Sequence, residues 1–185
     1  MKCVKSIYKA KIEVKKSKFI SYLVPIENYK QILANLKIEH PKANHIVYAY
    51  RELNEYNQVV ENSSDDGEPK GAAGVPTLNQ LRGADLIDSA IITVRYFGGV
   101  KLGVGGMARA YSQSAKSAIE SAKLLLYERL VEYKIEKKYV QQRQIEYYLK
   151  MLNIIPYNRE FLEDRVVYEL KISSSKLEKL KKLMV

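Results

Sequence analysis

One cysteine, no tryptophan and five prolines are found in 185 residues. A lone Cys3 can close no internal disulfide and cannot build a thiolate-rich zinc site, so the secreted, disulfide-stapled scaffold is excluded and a reducing compartment suits the chain. Long apolar runs are missing as well. The longest, Ala90-Ile91-Ile92-Thr93-Val94 and Leu124-Leu125-Leu126, fall far short of the ~20 residues that span a bilayer. Charges continue through the first eighteen residues with no apolar signal core, and a cytoplasmic protein without membrane attachment is expected. A chain of this length buries roughly 70% of its unfolded surface, enough for a core without metal or disulfide staples.

What is abundant is positive charge: 31 Lys and Arg stand against 21 Asp and Glu, for a net +10. Cations of this kind gain affinity for nucleic acid by releasing counterions from phosphates. The excess divides as +6 over residues 1–124 and +4 over 125–185. Neither part is a basic tail, and only eight of the cations are Arg, so much of the charge reads as a solvated, lysine-rich surface.

The pattern along the chain predicts an α+β protein of two domains, 1–124 and 125–185. In the first, Ile7–Val14 and Phe19–Val24 read as a hairpin about a charged turn at Lys15–Lys18. A helix capped by Asn28 stops before Pro41, strands follow at His45–Arg51 and Gln58–Glu61, and Thr77 caps a short helix ending near Gly83. The apolar strand Ser89–Tyr96 runs into five of the nine glycines, at 98, 99, 103, 105 and 106. A helix then extends to about Lys123, with Ala108, Tyr111, Ala115, Ala118 and Ala122 on one stripe. Beyond residue 125 the order is strand (Tyr127–Ile135), helix (Lys138–Leu152), strand (Ile154–Leu162), strand (Arg165–Ser173) and a helix from a capping box at Ser175–Glu178 to the end of the chain. This βαββα order is one strand short of a ferredoxin-like unit.

Two segments can carry chemistry. The glycine-rich turn from strand to helix is where backbone amides cradle an anion. It is not a P-loop, because Val104 stands where the lysine belongs, and Gly103-Val104-Gly105-Gly106-Met107-Ala108 meets only the permissive dinucleotide form. A helix start favours acids, yet this one has none and holds Arg109, with Arg95 and Lys101 on its approach. An anion is expected among these cations, either an external phosphate or the chain's own Asp65, Asp66 and Glu68. Those three carboxylates could instead hold a divalent ion in a nucleotide- or phosphate-binding enzyme, although Asp-Gly and Glu-Pro are ordinary turn chemistry. His45, beside Tyr48 and Tyr50 on a strand, reads as a structural histidine. No nucleophile–base motif accompanies it, and no catalytic residue, cofactor or metal is assigned.

Ala43-Asn44-His45, the stretch Asp65–Pro76 and the stretch Arg95–Tyr111 closely resemble the signatures of the IMPACT family, in its bacterial YigZ-type branch, over roughly residues 5–122. The resemblance implies an N-terminal domain folded like the second domain of ribosomal protein S-five, a mixed sheet backed by helices. It also implies a C-terminal ferredoxin-like domain similar to domain V of elongation factor G. Eukaryotic relatives act in translational control through the activator of the general amino-acid-control kinase. The reading that follows is a non-enzymatic binding protein near translation, its partners RNA, the ribosome or a protein of translational control. Anion or nucleic-acid contact falls to Arg95, Gly98, Gly99, Lys101, Gly105, Gly106 and Arg109, while His45, Asp65, Asp66, Gly67 and Glu68 match the motif without an assigned role. Two features depart from the pattern. Ala72 stands where the family usually has Thr, and the C-terminal domain lacks its last strand, so the exposed edge is expected either to pair with another element or to serve an altered surface role.

Overall fold

In the computed structural model, which describes residues 1–184, the chain folds as two α+β units, Met1–Tyr127 and Glu128–Val185. The first contains β1 (Lys2–Cys3), β2 (Tyr8–Val14), β3 (Ser17–Pro25), α1 (Tyr29–Glu39), β4 (His45–Leu53), β5 (Val59–Ser64), α2 (Gly74–Gly83), β6 (Ser89–Tyr96), α3 (Val104–Glu120) and β7 (Leu125–Leu126). Five of the strands form an antiparallel sheet in the order β2-β3-β6-β4-β5, and β1 pairs with β7 apart from it.

Why β6 reads as a continuous apolar run is now plain. It lies at the centre of the sheet and is covered on both faces, buried from Ser89 to Arg95. On one face α1 packs Tyr29 and Leu36 among Tyr22, Val24, Ile46, Ile92 and Val94. On the other, α2 and α3 bring Leu78, Leu81, Ala115 and Ala118 onto Leu23, Ala49 and Ile91. Each of the leucines, isoleucines and valines among these, fully buried, contributes about 1.5–3 kcal/mol. The small residues of α3 let it lie close to the sheet, where Ser114 and Thr93 each hydrogen-bond the Ser21 hydroxyl at 2.7 Å. These hydroxyls satisfy one another, so the polar link crosses the core without an unpaired group.

Several local expectations shift. The buried stripe of α3 is Met107, Ala110, Tyr111, Ser114, Ala115 and Ala118; Ala108 lies off it, and Ala122 follows the helix end. Asn28 makes no side-chain cap, because α1 is entered through a 3-10 turn at Ile26–Asn28 that already supplies the preceding helical residues. Helix α2 starts at Gly74, leaving Thr77 inside it with its hydroxyl donating to the Ala73 carbonyl at 2.9 Å. The hairpin turn is only Lys15-Lys16, with Val14 opposite Ser17. Gly98 follows β6 so closely upon that turn that a Cβ would fall 2.0 Å from the Lys16 carbonyl carbon.

The second unit contains β8 (Leu130–Lys138), α4 (Gln142–Met151), β9 (Asn158–Phe161), β10 (Arg165–Ser173) and α5 (Ser174–Leu183). Its antiparallel sheet has the order β8-β10-β9, a split β-α-β arrangement. Val166, Tyr168, Leu170 and Ile172 alternate onto a core with Ile145, Leu149 and Leu180. The cap of α5 is Ser173, two residues before the expected box, accepting from the Lys176 amide. The expected continuation of this helix reaches residue 185, which lies outside the described residues. Among the described residues β8 pairs along one side only, and its Glu132, Lys134, Glu136 and Lys138 guard that edge with charge.

Gly98→Ala should lower the stability of the first unit by about 1–3 kcal/mol, since the obstacle is backbone that cannot rotate away. Gly83→Ala, at a site with nothing within 4 Å, should cost nothing and add up to about 1 kcal/mol. Thermal denaturation of the two variants checks this, and equal melting temperatures would refute it.

Candidate functional site

The register of the sheet sets three side chains in a row at one end of the α2–α3 face: Arg95 on β6 lies opposite both Phe19 on β3 and His45 on β4. Arg95 is 5% exposed. A guanidinium cannot shed its charge, so burial requires a carboxylate beside it. Glu68, 7% exposed, supplies it by an ion pair to Nη1. The same Glu68 oxygen accepts from the Tyr111 hydroxyl on α3 at 2.7 Å, and its other oxygen lies 3.8 Å from His45 Nε2. Burial, and then the bond to the Glu68 carboxylate, push the Tyr111 hydroxyl far above its ordinary pKa, so it stays a donor. Arg95 Nη1 also approaches the Met107 sulfur at 3.6 Å, and its Nε is buried without a hydrogen-bond partner among the described residues.

The rest of the acidic loop is fastened just as firmly. One Asp66 carboxylate oxygen accepts from the Ile46 amide at 2.6 Å, and its carbonyl accepts from His45 Nδ1 at 2.8 Å. That carbonyl can only accept, so Nδ1 carries the hydrogen, and His45 orients the loop. Asp65 reaches forward to the start of α2, accepting from Gly71 at 2.8 Å, Ala73 at 3.0 Å and Gly74 at 2.8 Å. It is the anion a helix N-terminus favours, delivered from outside the local cap position. Burial pushes the Asp65 carboxyl up, but the three amides outweigh it and hold the group below the usual carboxylate range. Gly67 lies against the His45 ring. Among the described residues no group of His, Cys, Asp or Glu converges on a metal position; these carboxylates serve amides and Arg95 instead. Ala72 is 1% exposed among Phe19, Val47, Met107 and Tyr111, so its side chain packs into the core.

The cations anticipated together at the start of α3 divide. Arg95 is answered by Glu68. Lys101 is exposed and lines a cavity of about 430 Å³ together with Arg95, His45, Phe97, Gly103 and Val104. Arg109 is exposed over the first turn, its Nη1 3.7 Å from where a Gly105 Cβ would stand, and lines a separate groove between α2 and α3 with Pro76 and Ala108. Neither Lys101 nor Arg109 has a carboxylate partner among the described residues. Gly103 precedes the helix at φ 71° with no side-chain cap, and no acid occupies the first turn. Gly98 and Gly99 form the loop from β6, and Gly105 and Gly106 belong to the first turn of α3. Tyr111 and Phe97 are the participants that sequence reasoning missed. For Tyr111 the available signal was a phenol on a buried stripe, which needs a partner.

Residues 15–119 match the sequence profile of the Impact N-terminal domain. The chain belongs to the IMPACT family. An IMPACT family member of Haemophilus influenzae is 38% identical over 72% of this chain and 66% of its own. The member YigZ of Escherichia coli is 35% identical over 72% of this chain and 67% of its own. The chain therefore spans about two thirds of the length of these bacterial relatives. A solved crystal structure of a hypothetical protein aligns with 99% of this IMPACT-family chain and 90% of its own, with a TM-score of 0.71 and 28% identity. Among the described residues no helix is long and apolar enough to cross a membrane.

Glu68→Gln strands a buried guanidinium and should cost about 3–5 kcal/mol, whereas Tyr111→Phe removes one bond to a charged acceptor, about 1.5–3 kcal/mol. Urea titration of both variants tests the order, and a Tyr111→Phe more harmful than Glu68→Gln would contradict it. Asp65 has a folded pKa below its unfolded one, so its stabilisation is complete above the unfolded value near 3.9 and is lost as pH falls through the folded value. The stability of Asp65→Asn should therefore depend less on pH between about 5 and 2 than that of the unaltered protein.

Proposed function

We propose that this IMPACT-family protein is a non-enzymatic cytoplasmic regulator acting near translation, which contacts RNA, free or on the ribosome, through the basic start of α3. The observation that carries the reading is how the acids are used. Asp65, Asp66 and Glu68 are consumed at the α2 start, at Ile46 and at Arg95. Lys101 and Arg109 have no carboxylate partner among the described residues and stand beside an α3 N-terminus that no side chain caps. Positive charge, unpaired amides and a glycine-rich approach together favour phosphate. The kinship supports the setting, since the eukaryotic relatives implied by the resemblance act in translational control, and a protein partner of that kind fits the same role.

Lys101→Ala and Arg109→Ala should each weaken RNA binding and reduce the slope of log K against log salt by about 0.7 for a single strand or 0.9 for a duplex. Fluorescence anisotropy across a salt series reads this directly. Slopes and affinities equal to those of the unaltered protein in both variants would remove the α3 start from the interface.

A further inference from the structure

Lys15 and Lys16 form a two-residue hairpin turn in which both φ angles are positive, 47° and 66°. Such a turn is the province of Asn-Gly and similar pairs. Every other non-glycine residue with positive φ among the described residues is an Asn or an Asp: Asn57, Asp66, Asp85, Asp88 and Asn153. The two lysines are thus held where lysine is disfavoured, both exposed, and neither has an ion-pair partner among the described residues. Gly98 is what their turn rests upon. Its missing Cβ admits the Lys16 backbone, and its amide donates to the Ser17 hydroxyl at 3.1 Å.

The residue just before Gly98 is Phe97, 46% exposed at the rim of the 430 Å³ cavity that Lys101 also lines. Its amide donates to the Asn44 side chain at 2.7 Å, and the Arg95 guanidinium carbon lies 5.9 Å from the ring centroid. A phenyl ring is therefore partly open to solvent, next in the chain to the glycine on which the lysine turn rests, and it lines the same cavity as Lys101 and the residues that open α3. Cations that track a backbone around an exposed aromatic surface are the elements of single-strand recognition. A paired base keeps its faces covered and could not use the ring.

We infer that the partner is single-stranded RNA, with one unpaired base stacked on Phe97 and the adjoining phosphates on Lys15 and Lys16 to one side and on Lys101 to the other. This rests on the RNA reading above and specifies the kind of RNA. The lysine turn then trades conformational ease for contact.

The test uses a fluorescein-labelled short RNA of mixed sequence, alone and annealed to its complement, with the full chain. The unaltered protein should prefer the single strand. The double variant Lys15→Asn with Lys16→Gly installs the favoured turn, and should raise Tm by a few degrees while weakening single-strand binding and reducing its salt slope by about 1.4, two phosphates' worth. Phe97→Leu keeps an apolar side chain and should weaken binding roughly 5- to 150-fold, whereas Phe97→Trp should retain it. Binding lost in Lys101→Ala but unchanged in the turn variant and in Phe97→Leu overturns this inference and leaves the RNA reading standing. Duplex bound as tightly as single strand also overturns it. Absence of RNA binding by the unaltered protein overturns both.

Discussion

A guanidinium buried at the end of a central strand has to be neutralised where it lies, and much of the first unit is arranged around that demand. Arg95 lies at the end of β6 facing α3, too deep for water to screen it. The carboxylate that answers it comes from a loop between β5 and α2, so that loop must cross the end of the sheet. Once Glu68 is there, Tyr111 of α3 can reach it, and strand, loop and helix are tied at one oxygen. Such a pair adds little net stability over a well-packed apolar substitute, because desolvating two charges offsets most of their attraction. Its effect is positional: the loop can occupy only the path on which Glu68 meets Arg95, and the same path delivers Asp65 to α2 and Asp66 to β4.

This arrangement divides the cations by role. Arg95 and Arg51 have carboxylate partners inside the fold, Glu68 and Glu61. Among the described residues Lys15, Lys16, Lys101 and Arg109 have none, although acidic residues lie within the same unit. The total of +10 therefore says less than the distribution, since the acids nearest the glycine-rich turn are already spent and cannot neutralise the free cations around it. A field left open in this way acts on anything phosphorylated that approaches.

Strands and helices were legible in the sequence because their periods are local: the apolar run of β6, the alternation of β10 and the small-residue stripe of α3 each declare a face. Helix starts were less legible. Asn28 and Thr77 have the right chemistry for caps, yet α1 grows out of a 3-10 turn, and α2 takes its anion from Asp65, nine residues before Gly74. No local rule reaches that far. In the site, the motif residues and the choice between an internal and an external anion could be read, but not which cation each acid would take. That depends on the register that sets Arg95 opposite His45. The positive φ of the lysine turn was hidden for a related reason, because the residue type argues against it.

The exceptions to local consistency are informative because they coincide. Helices α1 and α4 are entered through 3-10 turns, α2 has Asp65 and α5 has Ser173; α3 begins on a glycine with neither a cap nor an acid. The lysine turn is held in a conformation lysine disfavours, and Arg95 keeps a buried N–H without an acceptor among the described residues. Natural sequences agree across levels almost everywhere and depart from that agreement where function asks for it. All three departures here surround the loop from Phe97 to Gly103. A fold built for stability alone could have placed Asp at the start of α3 and Asn-Gly in the turn, at no cost to the core. Keeping two lysines in the turn and an uncapped start on α3 leaves positive potential around one loop, and binding a polyanion would satisfy it.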